Sequence, residues 1–234
     1  MPNKLDRPSR LRPLSALALP AEPGRPPQAV RPGLWLFAPS RDSQGGSSWL
    51  LEASASGLSF DLLIDCPGYS QANLDWLSAR GPGLLVLTSR EGHGRCRRVQ
   101  QAIGWEVLVQ EQEAYLLPGV APLRSFGATC ELAPGVRLLW TPGPTPGACV
   151  VHARGPQLDV LFCGRLLAPV GPNAIAPLRT ARCFHWPRQL ASLEALRGWL
   201  PPGSPDWIAC GGGLGALRGA KLVTEGAVAL RSAP

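Results

Sequence analysis

The segment LLWTPGPTPGACVVHA, Leu138 to Ala153, constrains the fold more than any other stretch of the chain. Two apolar runs flank the turn TPGPTPG. Proline fixes φ at Pro142 and Pro146, while Gly143 and Gly147 allow positive φ, so the chain reverses tightly between two strands. The same reading extends over the region after Pro122. TCELAP, VRLLWTP, ACVVHA and LDVLFCG are strand-like runs joined by tight turns.

Before this region, strands and helices alternate. Order is expected to begin at GLWLFAP. SSWLLEAS and FDLLIDC are apolar runs separated by the hairpin signal ASGLS, and GLLVLTS is a continuous apolar run of strand length, as in a strand covered on both faces. QANLDWLSAR reads as a helix capped by Ser70 or Asn73, GRCRRVQQAIG as a second helix, WEVLVQ as a strand and EQEAYLL as a short helix. PRQLASLEALRGWL is the clearest helix, with Leu190, Leu193, Leu196, Trp199 and Leu200 on one stripe. DWIACGGG returns as a strand, and ALRGAKLVTEGAVALRS closes the chain as a helix or a helix followed by a strand. Two β-rich halves, each with helices, predict an α+β, four-layer αββα sandwich of two mixed β-sheets flanked by helices.

Composition sets the limits. The chain has 234 residues, of which 45% are hydrophobic and 17% charged, enough for one well-buried domain. Residues 1–32 hold eight prolines and almost no periodicity, which predicts a disordered, Pro-rich leader ahead of a single domain over 33–234. Of the formal charge of +7, the first 33 residues contribute +4, from Lys4, Arg7, Arg10, Arg12, Arg25 and Arg31 against Asp6 and Glu22. No apolar run approaches the roughly 18 to 20 residues of a membrane span. PLSALALP is too short and too broken by proline for a secretion signal, so a cytoplasmic location is expected. The seven cysteines lack C-x-x-C spacing and lie mostly in apolar runs, which predicts buried, reduced thiols.

Four landmarks follow in order: GGSSWLLEA with LLIDCPG, LLVLTS ending at Thr88, the TPGPTPG hairpin, and LDVLFCGRLLAP. This series resembles the metallo-β-lactamase-fold hydrolases, the superfamily of glyoxalase II, lactonases and tRNA 3′-processing nucleases. It looks closest to a cyanobacterial and plant branch that opens with a segment like FAPSRDSQGG, here Phe37 to Gly46.

The resemblance implies two metal ions, usually zinc, bound by H-x-H-x-D-H after the strand ending in LT, by a histidine in TPGHTPG, by a bridging aspartate in TGD and by a last histidine near the C-terminus. Neutral imidazoles and carboxylates suit zinc, and zinc-bound water ionises near neutral pH. In this chain the corresponding positions hold Ser89 and Glu91, then His93 and Gly94 or the nearby Arg95 and Cys96. They continue with Pro144, Arg165 and the glycines from Gly211 to Gly213. Only three histidines exist, and neither His152 nor His185 falls at a ligand position.

The expectation is therefore a degenerate, catalytically inactive member, a pseudoenzyme with a binding, regulatory or structural role and no cofactor. Ser89, Arg90 and Arg165 would offer an anion site for a small anionic ligand or a partner's acidic side chain. One alternative is a hydrolase with a single zinc or iron ion at His93, Glu91 and a cysteine. Another is a scaffold for an acidic partner or nucleic acid, through the leader or Arg95 and Arg98. Absence of interleaved aromatic residues argues against nucleic acid.

Overall fold

The computed structural model describes residues 21–234. Its larger sheet has seven strands in chain order: β1 (Gln28–Arg31), β2 (Leu34–Ser40), β3 (Gly46–Leu51), β4 (Asp61–Ile64), β5 (Gly83–Leu87), β6 (Glu106–Gln110) and β7 (Leu123–Phe126). The first four strands pair antiparallel and the last four parallel. Between them come the short α1 (Ala53–Ser56), then α2 (Gln71–Ser78) and α3 (Cys96–Ile103). A 3₁₀ turn over Glu111–Leu116 follows β6.

The second sheet uses β8 (Thr129–Ala133), β9 (Val136–Trp140), β10 (Cys149–Arg154) and β11 (Asp159–Gly164). A two-stranded ribbon, β12 (Ala168–Gly171) with β13 (Ala174–Ala176), and α4 (Trp186–Trp199) then precede β14 (Trp207–Cys210) and α5 (Gly226–Ser232). Its order is β14-β11-β10-β9-β8, with only the β11–β14 pair parallel. Both sheets are mixed.

Strand periodicity builds the layers. Along β3, β4 and β5, Trp49, Leu62, Ile64, Leu84 and Val86 face the second sheet, where Leu138, Val151, Val160 and Phe162 meet them. The intervening Leu50, Leu63, Leu85 and Leu87 face outward, onto Leu74 and Leu77 of α2 and Val99 of α3. On the other side Val150, Leu161, Cys163 and Ile208 pack beneath Leu193, Leu196 and Leu230 of α4 and α5. Strands covered on both faces need unbroken apolar runs, and LLVL and VLFC supply them. The result is helix, sheet, sheet, helix.

Three expectations need correction. The composition predicts a leader over 1–32, but Gln28–Arg31 form β1, and the Glu22 and Pro23 carbonyls accept the Gln71 and Ala72 N–H groups at the start of α2. Folded chain thus begins before residue 33, because those carbonyls cap a helix that Ser70 alone caps only in part. Residues 1–20 of that leader lie outside the described residues. On α4, Leu190 is exposed while Gln189 and Ser192 are buried. They sit inward because α4 docks on the TPG turn: Ser192 Oγ donates to the Pro142 carbonyl at 2.7 Å and Gln189 Nε2 to that of Leu166 at 2.9 Å. Finally, Gly143 does have positive φ (144°), but Gly147 does not. Gly147 is required instead by a close approach, since a Cβ there would lie 2.6 Å from Glu113 Cγ.

Candidate functional site

The strand ends that follow β4, β5, β11 and β14 gather at one edge of the sandwich with the β9–β10 turn and the start of β3. Short backbone bonds lock this mouth: Cys149 N to Thr88 O at 2.8 Å, Ser47 N to Gly211 O at 3.0 Å and Gly211 N to Gly164 O at 2.9 Å. Close approach demands glycine here. A Cβ on Gly46 would lie 2.7 Å from Arg165 Nη2 and 2.8 Å from Gly211 O.

Asp65 ends β4 in the left-handed region, with φ 61°. Its carboxylate accepts the Thr88 N–H at 2.7 Å, and its two oxygens take the Thr88 hydroxyl at 2.9 and 2.7 Å. Burial pushes its pKa up to about 6, against the Thr88 bonds and the Arg165 charge, with Glu113 adding to the rise. Asp65 is thus a buried tie between two strand ends.

Arg165 follows β11 and turns its guanidinium across the mouth. Nη2 donates to the Ser43 carbonyl at 2.9 Å, and Nε lies 3.5 Å from Glu91 Oε2, with the two side chains 22% and 15% exposed. Ser43 is 122 residues away in sequence. Behind the guanidinium is a cavity of about 250 Å³, whose lining includes Glu91, Pro144, Arg165, Arg182, Gln189 and Gly212.

Of the expected ligand positions, Glu91, Pro144 and Arg165 do meet at this cavity. Ser89 and Arg90 do not line it, which corrects the expected anion-binding set. Ser89 is extended and buried, its hydroxyl without a partner among the described residues, and the 3₁₀ turn Arg90–Gly92 then aims Glu91 inward and Arg90 into solvent. Gly211 contributes backbone only. Arg182, from the segment between β13 and α4, is the cation that sequence reasoning missed; nothing in its local sequence marks it.

His93 faces a different partner. Its Nε2 lies 4.0 Å from Glu113 Oε2, and among the described residues neither atom has a hydrogen-bond partner. Burial, with the Arg90 charge, pushes the His93 pKa down to about 4. Glu91 points at Arg165 and His93 at Glu113, so the expected set of His93, Glu91 and a cysteine is not assembled. Among the described residues, no group of three or more His, Cys, Asp or Glu side chains is placed to hold a metal ion.

The other histidines have local roles. His185 caps α4, its Nδ1 accepting the Arg188 N–H at 3.2 Å. His152, at the opposite end of the sandwich, has Asp159 Oδ1 at 2.8 Å and Ser204 Oγ at 2.9 Å, both on Nε2, while Nδ1 has no partner among the described residues. A nucleophilic triad needs serine and carboxylate on different ring nitrogens, so this cluster is not one.

No known family matches the sequence, and no curated protein is significantly similar to it. Solved structures are similar in shape. BLEG-1 B3 metallo-beta-lactamase superposes with a TM-score of 0.61 at 18% identity, over 83% of this chain and 95% of that one. The chain has the metallo-β-lactamase fold. A HARLDQ-motif mutant of the metallo-beta-lactamase from Cronobacter sakazakii gives 0.57 at 18% identity, covering 88% and 92%. TTHA1623 in a di-iron-bound form gives 0.56 at 21%, covering 81% and 94%.

The residues at the mouth of this metallo-β-lactamase fold do not fit a metal pair. Proline stands in the turn where the resemblance implies a histidine, and Pro144 offers no side-chain donor. A guanidinium stands where a bridging carboxylate is implied. Two unit charges 4 Å apart near a protein surface interact by about 4 kcal/mol, and a dication beside Arg165 doubles that repulsion.

Proposed function

We propose that this metallo-β-lactamase-fold chain is a non-catalytic binding module, a pseudoenzyme whose mouth receives a small anionic ligand. One observation carries the reading. The Arg165 guanidinium, held by Ser43 and faced by Glu91, sits at the head of a cavity in the place the resemblance gives to metals. An arginine donates up to five N–H bonds in a fixed fork suited to planar anions.

The rival surface is less favoured. Arg95 pairs with Asp42 at 2.9 Å and Arg98 stacks over Tyr69, so that helix face is already engaged. A thermal-shift screen of small anions on the wild type and Arg165→Ala tests the reading. A ligand at a hundredfold excess over its Kd adds about 2.7 kcal/mol of stability. Anions should raise the wild-type Tm and leave the variant unchanged; equal stabilisation of both proteins refutes the mouth as the site.

A further inference from the structure

The mouth cavity has more character than a positive charge. Its lining carries two cations, Arg165 and Arg182, and one carboxylate, Glu91, leaving one positive charge in excess. Its walls include Pro144, Leu167, Pro169 and Leu178. Leu178 of the lining is 44% exposed, so apolar surface stands uncovered there, and Phe184, whose N–H reaches the Pro144 carbonyl at 3.1 Å, is 47% exposed. At about 250 Å³ the space falls just below the roughly 300–1,000 Å³ typical of sites for drug-sized ligands.

The Arg165 guanidinium is only partly committed. Nη2 gives one proton to Ser43, and the 3.5 Å separation from Glu91 exceeds the roughly 2.7–3.2 Å of a direct bond. Among the described residues Nη1 has no acceptor. Glu91 therefore offsets part of the Arg165 charge without closing the fork, and it meets any incoming anion with a like charge.

Resting on the anion-binding reading above, we propose that the ligand is a small monocarboxylate with a compact apolar body. Its carboxylate engages Arg165 and Arg182, and its body lies against Leu167, Pro169 and Leu178. Glu91 is the specificity residue: it tolerates one negative charge beside the two arginines and repels a second.

Calorimetric titration of the full chain with benzoate, benzamide and inorganic phosphate tests this. Benzoate should bind the wild type, and benzamide and phosphate at least about tenfold more weakly. Arg182→Gln, an exposed position, should weaken benzoate several-fold without loss of fold, and Glu91→Gln should narrow the gap between phosphate and benzoate. Phosphate binding as tightly as benzoate overturns the monocarboxylate assignment while leaving the anion reading intact. Benzamide matching benzoate, or no binding by either anion, overturns both. Unchanged discrimination in Glu91→Gln removes Glu91 from the specificity role.

Discussion

The Arg165 guanidinium lies 3.5 Å from the Glu91 carboxylate, two residues that stand where the resemblance implies metal ligands and that here offset one another's charge. Removing either strands the other in a partly buried site. Arg165→Gln leaves Glu91 without its counter-charge and weakens the tie to Ser43, and should cost about 1–3 kcal/mol in urea unfolding. Glu91→Gln should cost less, because Arg165 keeps the Ser43 carbonyl.

Gly92 seats Asp65. A Cβ at residue 92 would lie 2.2 Å from Asp65 Oδ1, which the Thr88 bonds hold in place. Gly92→Ala should therefore destabilise by about 1–3 kcal/mol through overpacking. Gly198→Ala is the contrast: nothing lies within 4 Å of a Cβ at this position in the last turn of α4, and the change should stabilise by about 0.5 kcal/mol. Thermal or urea melts of the two variants read the opposite signs.

Two buried groups near the mouth predict opposing pH limbs. The His93 pKa falls from 6.5 to about 4 through burial and the Arg90 charge, so its contribution is full above 6.5 and is lost as pH drops toward 4. The Asp65 pKa rises from 3.8 to about 6, chiefly through burial, so its contribution is full below 3.8 and is lost as pH climbs through 6. Urea midpoints measured from pH 4 to 8 should show a shallower acid-side loss in His93→Gln. In Asp65→Asn they should show less decline toward neutral pH. Unchanged slopes in both variants contradict these assignments.

All seven cysteines are free, and five are buried. Burial, reinforced by neighbouring acidic groups, drives the Cys66 and Cys149 thiols well above their usual range, and burial pushes Cys96 up to about 12. Thiolates are the reactive form, so native protein should alkylate first at Cys183 and Cys130, the two partly exposed positions. Mass spectrometry after brief iodoacetamide treatment identifies them. Rapid labelling of Cys66 or Cys149 counts against the packing described.

The central strands were legible because a strand covered on both faces must be apolar throughout, and LLVL and VLFC satisfy that without help from elsewhere. β1, β7 and the β12–β13 ribbon were missed because they are short and largely exposed, so burial leaves little pattern in them. The position of Arg165 was readable from the strand end before it. Its partner Ser43 was not, since a backbone carbonyl carries no residue signature. The approach of His93 to Glu113 was likewise hidden, because it depends on how the turn after β6 meets the loop after β5. Gln189 and Ser192 disturbed the expected stripe on α4 for a similar reason: each is polar because it answers a turn or loop carbonyl far away in sequence.

The metal content of protein purified without chelators decides whether the mouth still holds metal. If a guanidinium has taken the metals' place, elemental analysis should find no stoichiometric zinc, iron or manganese, and zinc titration should yield no tight binding. One or two equivalents of metal retained through dialysis and lost on His93→Ala would contradict it.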